Sequence, residues 1–268
     1  MRLRACVALA ILVAPAAARA DDFCPGIARG VSELRPGDAF QATALLFSAA
    51  RFGCEREAGA ILGRGGSVDA RDREGMTALA KAAAAGKVKV MRLLLDKGAS
   101  VDARSVNGST PLYLAAEADR GAAVRLLLDH GADPNVPGRS GERSLAAAAY
   151  NGSADTVALL LRHAADPNAV DDDGKGAMVY AAGRAYAPIV AGLLAAGVDV
   201  NRRYGHGLTA LMWAVGHDAG AGSEDVEATL KALLDHGADR SLKDDRGLTA
   251  ADIARRLGHE REAAMIER

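Results

Sequence analysis

The 268-residue sequence lacks a dominant sign of charge and lacks any catalytic fingerprint. Its 33 Lys and Arg residues nearly balance 34 Asp and Glu residues, giving a formal net charge of −1. A chain with this balance of charge lacks the net positive potential that attracts nucleic acid. No nucleophile elbow, P-loop or dinucleotide-binding glycine pattern occurs. These absences argue against a nucleic-acid binder and predict a protein that is not an enzyme.

The sequence also lacks an apolar run long enough to span a membrane. The run at residues 5–14 is about half of the ~20 residues that a membrane helix needs. Two arginines precede it, and Ala-Arg-Ala at residues 18–20 fits a cleavage site, so residues 1–20 are predicted to be a secretory signal peptide. Cleavage would remove three arginines and no acid, moving the net charge from −1 to about −4. We therefore expect an exported chain that starts near Asp21 and has no membrane insertion after cleavage.

Cysteine is scarce, with three residues in the whole chain. Cys6 lies in the predicted signal peptide, which leaves Cys24 and Cys54. Export places such a pair in an oxidising compartment, so we expect a disulfide. A metal pair or a catalytic thiol is the alternative, although no His or third Cys lies nearby in the sequence. The bond would close a loop of about 30 residues, worth ~3–4 kcal/mol in the chain-entropy model.

Glycine, in contrast, is abundant and strictly spaced. Two columns of glycine and one column of Asp or Asn each recur every 33 residues, with one alanine in a glycine position. The members are Gly75, Gly108, Gly141, Gly174 and Gly207; Gly65, Gly98, Gly131, Ala164 and Gly197; and Asp69, Asp102, Asn135, Asn168 and Asn201. Three columns in one register indicate a repeat architecture.

The segments between the columns share one motif, seen best in TPLYLAA from Thr110 and LLLDHGADPN from Leu126. This motif resembles the ankyrin-repeat family, and the resemblance covers residues 39–268. It implies an all-α solenoid of paired antiparallel helices plus hairpin loops. An N-terminal cap is predicted at residues 21–38. The seven predicted units are residues 39–70, 72–103, 105–136, 138–169, 171–202, 204–242 and 244–268.

The motif has a physical basis in helix capping. Thr110 is expected to cap a helix N-terminus, and Gly131 to end a helix in the left-handed conformation. Arg143 and Gly176 replace the capping threonine in units four and five, and Ala164 replaces the terminal glycine of unit four. Because a lost side-chain cap costs ~1 kcal/mol, these two units are expected to be locally weak.

The resemblance implies non-catalytic protein binding through a concave face, built from the hairpin tips and the first helix of each unit. The candidate partner-binding residues are Arg73, Glu74, Lys81, Asn107, Arg139, Tyr150, Asp172, Asp173, Tyr180, Arg184, Tyr186, His206, Trp213 and His217. Aromatic side chains are enriched at binding hot spots. Packing between units remains the alternative for the aromatic residues.

No metal or cofactor is predicted. The run at residues 171–174, Asp-Asp-Asp-Gly, lacks the alternating ligands and the distal Glu of a calcium loop. His206 and His217 have no acid or Cys at zinc-ligand spacing. We interpret the acidic run as a solvated hairpin tip.

The 33-residue period lengthens to 40 in unit six, because of seven extra residues at 218–224, Asp-Ala-Gly-Ala-Gly-Ser-Glu. They predict a flexible loop between two helices, with Ser223 a candidate cap of the second helix. A binding loop and a tolerated spacer both remain open.

These features predict a monomer that binds a protein partner in the periplasm of a Gram-negative bacterium, or after secretion. One hypothesis is an inhibitor or immunity-type partner of an enzyme. The alternative is a stress-related accessory or scaffold factor that supports another periplasmic protein or a small ligand or cofactor.

Overall fold

A computed structural model describes residues 20–216 and 222–268. Within these ranges the chain forms fifteen α-helices and no strand. None of the described helices is both long and apolar enough to cross a bilayer. The helices are α1 (Ala20–Glu33), α2 (Ala39–Phe52), α3 (Glu55–Gly63), α4 (Ala78–Ala84), α5 (Val88–Asp96), α6 (Pro111–Glu117), α7 (Gly121–Asp129), α8 (Ser144–Tyr150), α9 (Ala154–Arg162), α10 (Ala177–Gly183), α11 (Ala187–Ala195), α12 (Ala210–Val215), α13 (Ser223–Asp235), α14 (Ala250–Arg256) and α15 (Glu260–Glu267).

From α2 onward the helices form seven consecutive pairs, one pair for each repeat unit. The first helix of each pair, here called the inner helix, packs on the inner helix of the next unit, and the second or outer helices pack on one another in the same way. The main contacts of each unit in the described residues are therefore with its neighbours, as in a solenoid. The predicted all-α solenoid is confirmed, while the limits of the predicted units stay a prediction.

The core follows the repeat. A pair of small residues near the end of each inner helix lets adjacent units approach closely, and a leucine of the outer helix fills the space behind it. The alanines Ala82, Ala83, Ala115, Ala116, Ala148, Ala149, Ala181 and Ala182 and the leucines Leu94, Leu127, Leu160 and Leu193 all have no exposed surface. Because one unit cannot enclose these side chains alone, stacking provides the burial.

The helix starts show the expected capping pattern. The Thr77 and Thr110 hydroxyls accept the N–H groups of Ala80 at 3.2 Å and Tyr113 at 3.1 Å. Arg143 and Gly176 occupy the same position before α8 and α10 and make no side-chain cap. The absence of these caps in units four and five was predicted from the sequence.

One of the outer helices is followed by a residue in an unfavourable conformation. Gly131 and Gly197 follow outer helices with φ of 80° and 90°, and Ala164 takes the same left-handed position after α9 with φ of 61°. Glycine adopts this region freely, whereas an L-residue with a Cβ pays about 1–2 kcal/mol. Unit four therefore carries backbone strain at Ala164.

The column of Asp and Asn links neighbouring units. The Asn135 side-chain oxygen accepts the backbone N–H of Asp166 at 2.7 Å, and its amide donates to the Ala164 carbonyl at 3.0 Å. Asn201 repeats the arrangement with Asp239 at 2.7 Å and Gly237 at 3.2 Å. These side chains satisfy backbone groups in the turns that follow the outer helices, so the period of this column is structural.

The N-terminal helix α1 packs on α2 and α3. A disulfide joins Cys24 in α1 to Cys54, directly before α3. Beside it, the rings of Phe23 and Phe52 stack with centroids 4.0 Å apart. The bond ties the N-terminal helix to the first unit of the stack.

The extra residues of unit six are partly helical. Outer helix α13 begins at Ser223 and has thirteen residues, against nine in α5, α7, α9 and α11. The prediction that Ser223 and Glu224 belong to a loop, with Ser223 as the cap, is therefore wrong: Gly222 precedes the helix. Glu224 and Asp225 lie in the first turn, where their negative charges interact favourably with the helix dipole. This interaction favours the longer helix. The remainder of the predicted loop, apart from Gly222, and His217 lie outside the described residues.

Candidate functional site

Inner helices of units four to six line an open pocket of about 180 Å³. Its described lining comes from the end of α8, from α10 and the residue after it, from α12 and the residue after it, and from one hairpin turn. The lining residues are Tyr150, Lys175, Val179, Tyr180, Gly183, Arg184, Trp213 and Gly216. We call this the aromatic pocket. Four of the candidate binding residues predicted from the sequence meet here: Tyr150, Tyr180, Arg184 and Trp213.

The rim of the aromatic pocket is a cluster of stacked side chains. Tyr150 is 48% exposed, and its ring meets the Tyr180 ring edge-on, with centroids 5.8 Å apart and planes at 85°. The Arg184 guanidinium lies over Tyr150, 4.5 Å from the ring centroid, and 5.9 Å from the centroid of Tyr186. Edge-to-face and cation–π contacts of this kind hold large side chains in one arrangement before a partner arrives.

Tyr180 is fixed by the hairpin turn of its own unit. Its hydroxyl donates to Asp171 at 2.6 Å, and the backbone N–H groups of Asp173 and Lys175 also donate to Asp171. Burial and the adjacent carboxylate raise the pKa of the Tyr180 phenol well above its usual value. The Tyr180 phenol therefore stays protonated and donates its hydrogen bond to Asp171. The ring is the part of Tyr180 that lines the pocket.

Trp213 forms the opposite side of the pocket, next to Gly183. A Cβ at Gly183 would lie 3.8 Å from the indole Cε3, so a larger residue would add atoms between the two helices. The indole nitrogen is buried and has no hydrogen-bond partner among the described residues.

The chain between Arg184 and Tyr186 is strained. Ala185 is buried and has φ of 59°, at the position where Gly86 and Gly152 have 67° and 75°. Left-handed residues with a Cβ are uncommon and cluster at functional sites. Here the conformation sets the direction of the chain between two residues of the aromatic cluster.

Tyr186 lies beside the pocket without lining it. Its hydroxyl is 3.4 Å from the Arg184 Nε, which donates to it. The ring covers Gly152 so closely that a Cβ there would lie 2.7 Å from the ring Cζ. Tyr186 therefore supports Arg184 and packs against unit four.

The other candidate residues in units two and three line no part of the pocket as described. Arg73 and Glu74 are exposed at their hairpin tip. The Asn107 side chain accepts from Ser105 Oγ at 2.6 Å and so shapes its own turn. Lys81 is paired with Asp72 at 2.5 Å, and this interaction lowers the pKa of that carboxyl although burial opposes the shift.

The candidate tips of units four to six likewise do not line the pocket as described, although Asp173 lies 3.7 Å from the Lys175 ammonium group. Arg139 pairs with Glu117 at 3.0 Å. Asp172 and Asp173 are exposed, as is His206, which has φ of 62°. These residues follow the hairpin edge of the stack, so their role in partner binding stays a prediction.

A second buried polar cluster was missed at the sequence level. The Tyr113 hydroxyl donates to Glu142 at 2.8 Å. Burial raises the pKa of the Glu142 carboxyl, and nearby Glu117 and Asp171 raise it further. Tyr113 is 1% exposed and packs in the core, as does Tyr204, whose pKa burial raises to about 12. Both tyrosines are therefore packing residues of the core.

Potential metal ligands do not gather at the aromatic pocket. Its described lining contains no Asp, Glu, His or Cys. In residues 20–216 and 222–268, the grouping of three such ligands is Cys24, Cys54 and Glu57. Both sulfurs of that group are joined in the disulfide and cannot act as thiolate ligands.

Family comparisons agree with the fold. A family model described as ankyrin repeats (3 copies) matches residues 38–138 and 145–225, and one described as ankyrin repeat matches residues 206–245. A comparison with curated proteins finds no match. Ankyrin repeats indicate a protein–protein interaction module. Since the matches cover well over half of the sequence and the helix pairs stack as the motif predicts, the chain belongs to the ankyrin-repeat family.

Proposed function

We propose that the protein is a non-catalytic binding module that holds one partner protein on the face formed by its inner helices. The aromatic pocket is the observation that carries this proposal. Large aromatic and arginine side chains in a preorganised cluster dominate binding energies at protein interfaces. Tyr150, Tyr180, Arg184 and Trp213 provide that composition at one place on the stack.

The size of the pocket favours a protein over a small ligand. Its volume is about 180 Å³, whereas pockets that enclose small molecules span about 300–1,000 Å³. The pocket can receive about one side chain, with the rest of the partner spread over neighbouring inner helices. Such an anchor in a shallow pocket is typical of a protein interface.

The proposed setting is the periplasm. The signal-like residues 1–20 and the disulfide support export, because structural disulfides persist in oxidising compartments. Within that setting we propose an inhibitor or immunity-type role, in which the rigid face covers a periplasmic enzyme. A scaffold or accessory role is the alternative outcome, and the partner's activity in the complex distinguishes the two.

Partner capture by matched variants tests the proposal. The immobilised protein is incubated with periplasmic extract as wild type, as Tyr150→Ala/Trp213→Ala, and as Phe40→Ala. Phe40 is 86% exposed and distant in sequence from the pocket, so it controls for loss of any exposed aromatic side chain. Circular dichroism confirms that each variant is folded, and mass spectrometry identifies what is retained.

We expect the double variant to lose at least about 30-fold in affinity for the captured protein, since hot-spot truncations cost about 2 kcal/mol or more. Phe40→Ala should bind as the wild type does. Equal capture by all three folded proteins would contradict the proposal. If the partner is an enzyme, loss of its activity in the complex supports the inhibitor role, and retained or raised activity supports the accessory role.

A further inference from the structure

We infer that the side chain which the partner inserts into the aromatic pocket is a phenyl ring, from a phenylalanine or a tyrosine. This inference rests on the proposed function and names the chemistry of the anchor. It is argued from the gap that the repeat leaves between large rings, from the charges around the pocket, which already have partners, and from the volume of the pocket.

The pocket arises where two columns of the repeat change residue size in opposite directions. Both columns lie on the inner helices, and within each column the residues are spaced by 33. Residues three apart on a helix lie on the same face, so the large rings of units five and six stand beside positions that have no side chain. The members are Ala147, Tyr180 and Trp213 in the first column, and Tyr150, Gly183 and Gly216 in the second.

The two glycines keep the gap open. A Cβ at Gly183 would have the Trp213 indole as its nearest neighbour, 3.8 Å away. A Cβ at Gly216 would meet backbone oxygens, the nearest at 3.6 Å, and no side-chain atom of the described residues within 4 Å. The space above these two positions is therefore not filled by the protein itself, and the ring of Tyr150 in unit four limits it on one side.

The charged groups around the pocket already have partners. The Lys175 ammonium group lies 3.7 Å from Asp173, and Asp171 accepts from the Tyr180 hydroxyl at 2.6 Å. The Arg184 guanidinium lies over the ring at the end of α8, 4.5 Å from its centroid. Since positive and negative groups are compensated in this way, a neutral anchor is the electrostatic match for the pocket.

The remaining lining is mainly carbon. The Trp213 indole nitrogen is buried, so Trp213 lines the pocket with its ring carbons. Val179 adds an aliphatic side chain from α10. Tyr150 is 48% exposed at the rim, where its hydroxyl can bind water while its ring faces other aromatic groups. An apolar anchor therefore leaves no polar group of the lining without a partner that it has now.

Volume and ring contacts favour a phenyl ring over an aliphatic side chain. The pocket has about 180 Å³, and a protein cavity of about 150 Å³ takes up benzene. A ring placed between Tyr150 and Trp213 gains about 2- to 10-fold in affinity beyond its buried area, because ring edges and ring faces carry opposite partial charges. A leucine side chain gains no such contact.

Nuclear magnetic resonance can test the inference directly. Trp213 is the only tryptophan of the chain, so the labelled protein has a single tryptophan indole N–H resonance. The phenyl probe is N-acetyl-phenylalanine N-methylamide. The cyclohexyl probe is N-acetyl-cyclohexylalanine N-methylamide, which has a saturated ring of similar shape and is measured by its displacement of the phenyl probe.

Three variants accompany the wild type. Gly183→Val places methyl groups in the pocket. Gly192→Val is its matched control, because Gly192 lies in α11 outside the described lining and an added Cβ there meets no atom within 4 Å. Tyr150→Leu removes one ring of the lining and keeps an apolar side chain. Circular dichroism confirms that each variant is folded.

We expect the phenyl probe to shift the Trp213 resonance saturably, with a dissociation constant in the millimolar range for a ligand of this size. The cyclohexyl probe should bind about 2- to 10-fold more weakly although it is the more apolar of the two. Gly183→Val should weaken the phenyl probe at least about tenfold, since its methyl groups occupy part of the space, and Gly192→Val should leave binding unchanged. Tyr150→Leu should remove most of the preference for the phenyl probe.

The inference would be overturned if the cyclohexyl probe bound the wild type as tightly as the phenyl probe does, or if neither probe gave a saturable shift. Equal effects of the two glycine substitutions would also overturn it, as would a full preference for the phenyl probe in Tyr150→Leu. Such a failure is distinguishable from failure of the proposed function. Partner capture that depends on Tyr150 and Trp213 would survive it, and the anchor would then have another chemistry. Loss of the capture result would instead refute the binding face itself.

Discussion

Replacing Ala164 by glycine should stabilise the protein. Ala164 is exposed, follows α9 and has φ of 61°. Its backbone N–H donates to the Leu161 carbonyl, and its carbonyl accepts from the Asn135 amide at 3.0 Å. Neither bond involves the methyl group, so the substitution keeps the contacts of the backbone and removes only the Cβ.

The expected gain is a difference between two opposing effects. The left-handed conformation costs a residue with a Cβ about 1–2 kcal/mol, and glycine adds about 0.5–1 kcal/mol of conformational entropy to the unfolded chain. The net gain should be about 0.5–1 kcal/mol. For a chain of this size that corresponds to an increase of about 1–4 °C in the melting temperature.

Urea and thermal unfolding, followed by circular dichroism, would measure the change. The matched control is Ala158→Gly, an exposed residue in the interior of the same helix α9, where φ is helical. Glycine there should destabilise by about 1 kcal/mol. If Ala164→Gly destabilised the protein as much as Ala158→Gly does, the assignment of strain to Ala164 would be refuted.

Three further substitutions test other parts of the stack. Cys24→Ser/Cys54→Ser opens a loop with a sequence separation of 30 and should lower the free energy of unfolding by ~3–4 kcal/mol. If the variant stayed less stable than the wild type after the wild-type disulfide had been reduced, the disulfide would not be the origin of the loss. Thr110→Ala removes the cap of α6 and should cost ~1 kcal/mol in the same urea assay, whereas Thr110→Ser should cost little. Burial raises the pKa of Glu142 above 4.5, so the folded state binds that proton more tightly and loses stability as the carboxyl ionises. The stability of the wild type relative to Glu142→Gln, which can still accept from Tyr113, should therefore rise as the pH falls from neutral towards 4.5; an unchanged difference would exclude Glu142 as the cause.

The repeat architecture could be predicted from the sequence because its determinants are local. Thr110 and Gly131 each act at the end of a single helix, and every unit repeats the same pattern. The repeat register read from one unit therefore applies to the whole stack. The missing caps at Arg143 and Gly176 were visible for the same reason. The lengthened helix α13 was missed because its extra residues, rich in glycine, were interpreted together as one loop.

The pocket depends on how units meet, and this information is not local. Tyr113 and Tyr150 are the same residue type on successive inner helices, yet one is 1% and the other 48% exposed. Gly138 lies directly over the Tyr113 ring, where an added Cβ would be 2.7 Å away, while Tyr150 ends its helix at the surface. Lys175 was missed because the acidic hairpin turn that precedes it was interpreted only as a solvated tip, whereas Lys175 lines the pocket.

The inner helices α8 and α10, which lack the threonine cap, and the strained residues Ala164 and Ala185 all fall in units four and five. Since each unit is held only by its neighbours, a pulling force on the two ends should separate the stack at this middle section first. The disulfide keeps the N-terminal end closed under the same load. A partner bound across units four to six would then bridge these units and raise the force at which the stack opens.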